Sequence, residues 1–154
     1  MIRVADFNDI DRLCGLFREL HAYHVGIKPE KFRMPDDDDF FREEMTDFLN
    51  SDEWITLVHE SGGIINAYAI FKAFDEESPD MQPRRLCFIT HFTVTKPARR
   101  QGIGRELMDK VCELARSVGC NYMRLGVNAL NADAIEFDKA MGFEYATILM
   151  EKPL

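Results

Sequence analysis

Residues 94–105 read Val94-Thr95-Lys96-Pro97-Ala98-Arg99-Arg100-Gln101-Gly102-Ile103-Gly104-Arg105. A strand-like run precedes them, Leu86 to Val94, rich in Phe, Ile, Thr and Val. A helical stripe follows, with Ile103, Leu107, Val111, Leu114, Ala115 and Val118 at helical spacing and Gly119 placed to end it. Glycines at a helix start let backbone amides approach a ligand with no Cβ in the way. Those amides have no intrahelical partner, and the helix dipole favours an anion there. Lys96, Arg99, Arg100 and Arg105 cluster in this stretch with no acidic residue among them, in a chain of net charge −8. The physical reading is a phosphate or diphosphate seat; the plainer alternative is a glycine turn carrying solvated basic residues. GxxxxGK[ST] is missing, and Leu107 stands where a GxGxxG fingerprint needs its third glycine.

The flanks extend the pattern. Ile2 to Ala5 reads as a short strand, and Asp6 as the cap of a helix with Ile10, Leu13, Cys14, Phe17 and Leu20 on one side. Asp36 to Asp39 open a second helix bearing Phe41, Met45, Phe48 and Leu49. Trp54 to His59 and Ile64 to Phe71 form a hairpin about Gly62-Gly63, followed by a polar loop from about Asp75 to Pro83. Beyond the central helix, Tyr122 to Val127 reads as a strand, Asn131 to Met141 as a helix closed by Gly142, and Phe143 to Met150 as a final strand. The predicted order is β-α-α-β-β-β-α-β-α-β, an α/β fold with a mixed sheet flanked by helices.

With 154 residues, one domain spanning 1–154 is expected, large enough for its own core. No apolar run approaches a bilayer span and no signal-peptide core opens the chain, so no membrane partner and a cytoplasmic location are expected. The acidic balance argues against general nucleic-acid binding. Cys14, Cys87, Cys112 and Cys120 form no CxxC pair and read as reduced, buried thiols. His21 and His24 stand three apart without a third ligand, so no metal site is expected. The acidic run Asp36–Asp39 reads as a solvated cap, with attraction of a polycationic substrate as the alternative.

Arg99-Arg100-Gln101-Gly102-Ile103-Gly104 resembles the Q/R-x-x-G-x-G/A signature of the GCN5-related N-acetyltransferase (GNAT) family. Asn131-x-x-Ala134-x-x-Phe137-Asp138-x-x-x-Gly142-Phe143 resembles that family's N-x-x-A-x-x-x-Y-x-x-x-G-F segment. The resemblance covers the second half by motif and the first half by element order. It implies the family's fold, with a V-shaped slot between the strand ending at Val94 and the strand at Tyr122 to Val127. Acetyl-CoA would be the cosubstrate. Its pantetheine arm would lie near Phe92, Thr93 and Val94, and its diphosphate would rest on the segment Arg99, Arg100, Gln101, Gly102, Ile103, Gly104 and Arg105. Asn131 would contact the pantetheine or the nearby backbone; a helix N-cap is a compatible role. The acceptor would be a small-molecule amine, or a peptide amine. Family members are often homodimers.

Acetyl transfer to an amine needs a neutral nucleophile, a donor for the developing oxyanion and a means of stabilising the departing thiolate. A backbone amide near Thr93 or Val94 is the implied oxyanion donor. His91 is the candidate base, its ordinary pKa near ~6.5 suiting it to neutral pH; a packed strand residue is the alternative reading. The family's acid, a tyrosine, falls at Asp138, expected to be ionised and on a helix surface. Tyr145 and Tyr23 are the substitute donors. That replacement leaves open a second class of function, an acetyl-CoA-binding module of the same fold without turnover. A third reading is a protein for another phosphate ligand.

Overall fold

The computed structural model describes residues 1–154. Its elements are β1 (Ile2–Val4), α1 (Ile10–Ile27), α2 (Asp39–Asn50), β2 (Ile55–Ser61), β3 (Ile64–Glu76), β4 (Arg84–Val94), α3 (Ile103–Ser117), β5 (Tyr122–Leu125) and α4 (Ala132–Ala140). Single 3-10 turns precede α1 and α3. The sheet runs β1-β2-β3-β4-β5, antiparallel except for the last pair, β4 and β5, which is parallel.

Local chemistry accounts for most boundaries. Asp6 and Asp9 form a reciprocal capping box around the first turn, and Arg3 grips Asp9 through two hydrogen bonds. Gly62 and Gly63 both take positive φ, which is what a two-residue hairpin turn requires. In the acidic run, Asp38 pairs with Arg18, Asp36 with Arg33, and Asp37 accepts from the Asp39 amide, while Asp38 at the N-cap position makes no side-chain cap bond.

Two apolar layers hold the sheet. On one face Leu57, Ala67, Ala69, Phe71, Cys87 and Ile89 pack against Ile103, Leu107, Met108, Val111 and Ala115 of α3. On the other, Val58, Ile65, Tyr68 and Ile70 pack against Leu13, Leu16, Phe17, Phe41 and Met45 of α1 and α2. Cys87 lies in the first layer, and burial raises its thiol to about 12; the other three cysteines are half-buried and also free. No helix is long and apolar enough to cross a membrane.

The final strand expected over Phe143–Met150 does not form. β5 offers only four residues of edge, and the segment after Gly142 runs instead to the end of α1, where Glu151 pairs with Lys28 and Lys31. Its strand-like residues Ile148, Leu149 and Met150 stay exposed.

Candidate active site

Strand β4 is paired with β3 along its whole length, to Val94 opposite Ala67. Its pairing with β5 stops at Ile89 opposite Leu125. From Thr90 to Val94 the β5 side of β4 has no ladder partner, leaving its backbone donors and acceptors, the Val94 carbonyl excepted, facing a gap. A β-bulge sits where the two strands part: His91 pairs with Ile70 and Ile89 with Phe71, so Thr90 is the extra residue. The bulge inverts the side-chain alternation. Cys87 and Ile89 face α3 before it; Phe92 and Val94 pack on that layer after it, and His91 is turned to the α1 side.

The gap leads into the segment before α3. Arg100 takes φ 64° and Gly102 φ 84°, two left-handed residues just before α3. The first ring closed here is Glu106 N–H to the Gly102 carbonyl at 3.0 Å. The amides from Arg100 to Arg105 donate to no protein group. Lys96, Arg100 and Arg105 have no acidic partner, whereas the Arg99 guanidinium donates to the Val94 carbonyl at 2.9 Å. Packing at Gly104 is close: a Cβ there would lie 3.3 Å from Phe137 and 3.5 Å from Val94. Phe137 in turn stacks on Phe92 at 5.6 Å. A cluster of free amides at a helix start, continuous with an unpaired strand edge, fits a diphosphate carrying an extended amide-containing arm.

On the α1 side His91 is enclosed by Phe17 at 4.6 Å, Phe48 at 5.4 Å and Tyr68, whose hydroxyl lies 3.1 Å from Nδ1. Burial first, and the charge of His24 second, lower the imidazole to about 4. It is therefore neutral at pH 7 and a weaker base than its ordinary value implies.

The sequence profile of the Acetyltransferase (GNAT) family matches residues 17–143. The chain belongs to that family. It is accordingly an N-acetyltransferase with acetyl-CoA as cosubstrate. Thialysine N-epsilon-acetyltransferase of Bos taurus is 28% identical over 152 residues, covering 96% of this chain and 85% of that protein. Among solved structures, a mutant of the BH1408 protein from Bacillus halodurans superposes with TM-score 0.91 at 23% identity, over 100% of this chain and 99% of that one. The aminoglycoside N-acetyltransferase AAC(6')-Iy with a bisubstrate analog, CoA-S-monomethyl-acetylneamine, gives TM-score 0.74 at 16% identity, over 100% and 97%.

Set against this GNAT framework, Gly104 of the segment 99–105 lies against Val94, at the end of the β4 edge that β5 leaves unpaired. Asn131 is the N-cap of α4: its Oδ1 accepts from the Ala134 amide at 3.2 Å and from the Tyr23 hydroxyl at 3.3 Å. Asp138 is buried, not a surface residue, with no hydrogen-bond or ion-pair partner for its side chain, and desolvation raises its carboxyl to about 6. Tyr145 is 63% exposed with the Lys139 ammonium over its ring, facing solvent. His21 bonds the Arg33 carbonyl and His24 stacks on Phe32, and no group of three or more metal-ligating side chains forms.

Three further residues belong to the site. Tyr68 holds His91, Phe137 lines the slot beside Gly104, and Glu19 of α1 accepts from Thr95 and Lys96 at the end of β4. Phe137 had a signal, its place one residue before the tyrosine position of the second motif. Glu19 and Tyr68 had none, because their partners are remote in the chain.

Proposed function

We propose that residues 1–154 act as one domain that transfers an acetyl group from acetyl-CoA to the primary amine of a small molecule, by direct attack in a ternary complex. The observation that carries this reading is the release of β4 from β5 beyond Ile89, which opens a slot ending at the free amides before α3. Acetyl-CoA supplies an acetyl group activated as a thioester. The amides of Gln101 to Arg105 hold its diphosphate, with Lys96, Arg100 and Arg105 around them. The free edge of β4 at Phe92 to Val94 pairs with the pantetheine arm, and an amide near Thr93 or Val94 donates to the thioester oxygen.

His91 faces the acceptor side. Held by Tyr68, it keeps one ring nitrogen for the proton that the amine must shed as the C–N bond forms. Asp138 occupies the position of the family's acid. Its buried, unpartnered carboxyl keeps a proton closer to neutrality than an ordinary aspartate, which suits it to protonate the departing thiolate. The names of related proteins make thialysine and aminoglycosides the first acceptors to try.

The test is thiol release with a panel of thialysine, lysine, neamine and a peptide amine, beside calorimetric binding of CoA. CoA binding with amine-dependent thiol release supports the proposal. Binding with no release on any amine moves the chain to the second reading, a binding module. No CoA binding removes both. A homodimer is part of the proposal: the outer edge of β5 is unpaired, and Ile148, Leu149 and Met150 are an exposed strand-like run. Light scattering of the full chain that gives a monomer mass at micromolar concentration excludes it.

A further inference from the structure

We propose that α1 is a strap across the cosubstrate slot, and that Glu19 and Tyr23, one helical turn apart, are positioning residues that set the slot's width. This rests on the reading of the slot as the acetyl-CoA site.

The slot has two lips. One is the end of β4 with the turn that follows it; the other is α4, reached from β5. Beyond Ile89 and Leu125 no ladder bond joins them. Residues four apart on a helix share a face. Glu19 reaches the first lip: Oε2 accepts from the Thr95 hydroxyl at 2.7 Å and Oε1 from the Lys96 amide at 2.7 Å. Tyr23 reaches the second, donating to Oδ1 of Asn131, the residue that caps α4. The polar links between the lips therefore run through α1. The direct link is apolar, Phe137 against Phe92 and Gly104, and apolar contact tolerates sliding where hydrogen bonds do not.

The charge on Glu19 points the same way. A carboxylate beside a diphosphate seat opposes the ligand by simple repulsion. Its place there is explained by geometry: two short bonds fix where β4 ends and where the turn of Lys96–Ala98 begins, with Arg99 3.7 Å away as partial counter-charge. A neutral side chain of the same shape should serve as well. In Glu19→Gln the amide oxygen can take the Lys96 N–H and the amide nitrogen can donate to Thr95.

The experiment is calorimetric titration of the full chain with CoA, well below the unfolding midpoint, for wild type, Glu19→Ala, Glu19→Gln, Tyr23→Phe and the Glu19→Ala/Tyr23→Phe double variant. Glu19→Ala should weaken CoA about tenfold and Tyr23→Phe about threefold, the scale of one or two lost hydrogen bonds. Glu19→Gln should stay within about twofold of wild type, and the double variant should lose less than the product of the singles, since either break frees the gap. With an accepted amine, the KM for acetyl-CoA should move more than kcat. Wild-type affinity in Glu19→Ala, or an equal loss in Glu19→Gln, overturns the proposal. If Glu19→Ala does not fold, Tyr23→Phe decides: unchanged CoA affinity overturns it. Wild type that fails to bind CoA sinks the acetyltransferase reading itself, whereas binding unaltered by the variants sinks the strap alone.

Discussion

Tyr68 and His91 face each other from β3 and β4, the phenol oxygen 3.1 Å from the imidazole Nδ1, with Tyr68 fully buried. The tyrosine is the only fully buried hydroxyl-bearing ring of the core, and the histidine satisfies it. The imidazole is in turn shielded from water by Phe17 and Phe48, so its neutral form is part of the fold.

That shielding has a consequence for stability. The folded chain resists a proton that the unfolded chain accepts near pH 6.5, until about pH 4. The contribution of His91 is therefore complete above about pH 6.5 and is lost as the pH falls toward 4, at most on the order of 3 kcal/mol. Urea unfolding of wild type and His91→Gln at pH 7, 5.5 and 4.5 should show the variant losing less stability on acidification. Parallel pH dependence in the two proteins would contradict this.

Asp138 has the opposite sign. Burial raises its carboxyl from 3.8 to about 6, so the folded chain prefers the protonated form. The stabilisation is present below pH 3.8 and is lost as the pH rises through 6. Asp138→Asn should then stabilise the protein at pH 8, with little effect at pH 3.5. Denaturant midpoints at the two pH values check the difference.

As the proposed acid, Asp138 should also set the upper pH limit of the rate. If its carboxyl protonates the thiolate, kcat should decline above about pH 6 in wild type and fall by roughly tenfold or more in Asp138→Asn. Asp138→Tyr should hold its rate to higher pH, because a phenol keeps its proton to about 10. A pH–rate profile of the three proteins with one acceptor measures this, and identical profiles exclude a proton-donor role.

Gly104 should tolerate no branched side chain. A Cβ already meets Phe137 at 3.3 Å, and the branches of valine would drive that ring from Phe92 and into the slot. Gly104→Val is expected to weaken CoA at least about tenfold while α3 stays folded, because the loss is steric and local. Calorimetry with circular dichroism separates the two effects.

Tyr145 should be dispensable. It is exposed, with the Lys139 ammonium over its ring. Tyr145→Phe should leave kcat and KM unchanged in the thiol-release assay; a large loss of kcat would restore it as the acid.

What is local follows from the order of residues along the chain. The α3 stripe, the Gly62-Gly63 turn and the glycine-bearing turn before α3 all follow from periodicity and backbone freedom within a few residues, and all formed where expected. The acetyltransferase resemblance rests on the same kind of signal, since an anion seat made of backbone amides needs glycines at set positions more than particular side chains. Tertiary structure alone decided the rest. The bulge at Thr90 turned His91 toward α1, and a register shift between paired strands leaves no mark on one strand's own pattern. Glu19 found Thr95 across 76 positions of chain. Burial gave Asp138 and His91 their shifted acidities, because desolvation depends on what packs around a group and not on its neighbours in sequence. Phe143–Met150 has the composition of a strand but pairs with none, because the open edge of β5 is only four residues long.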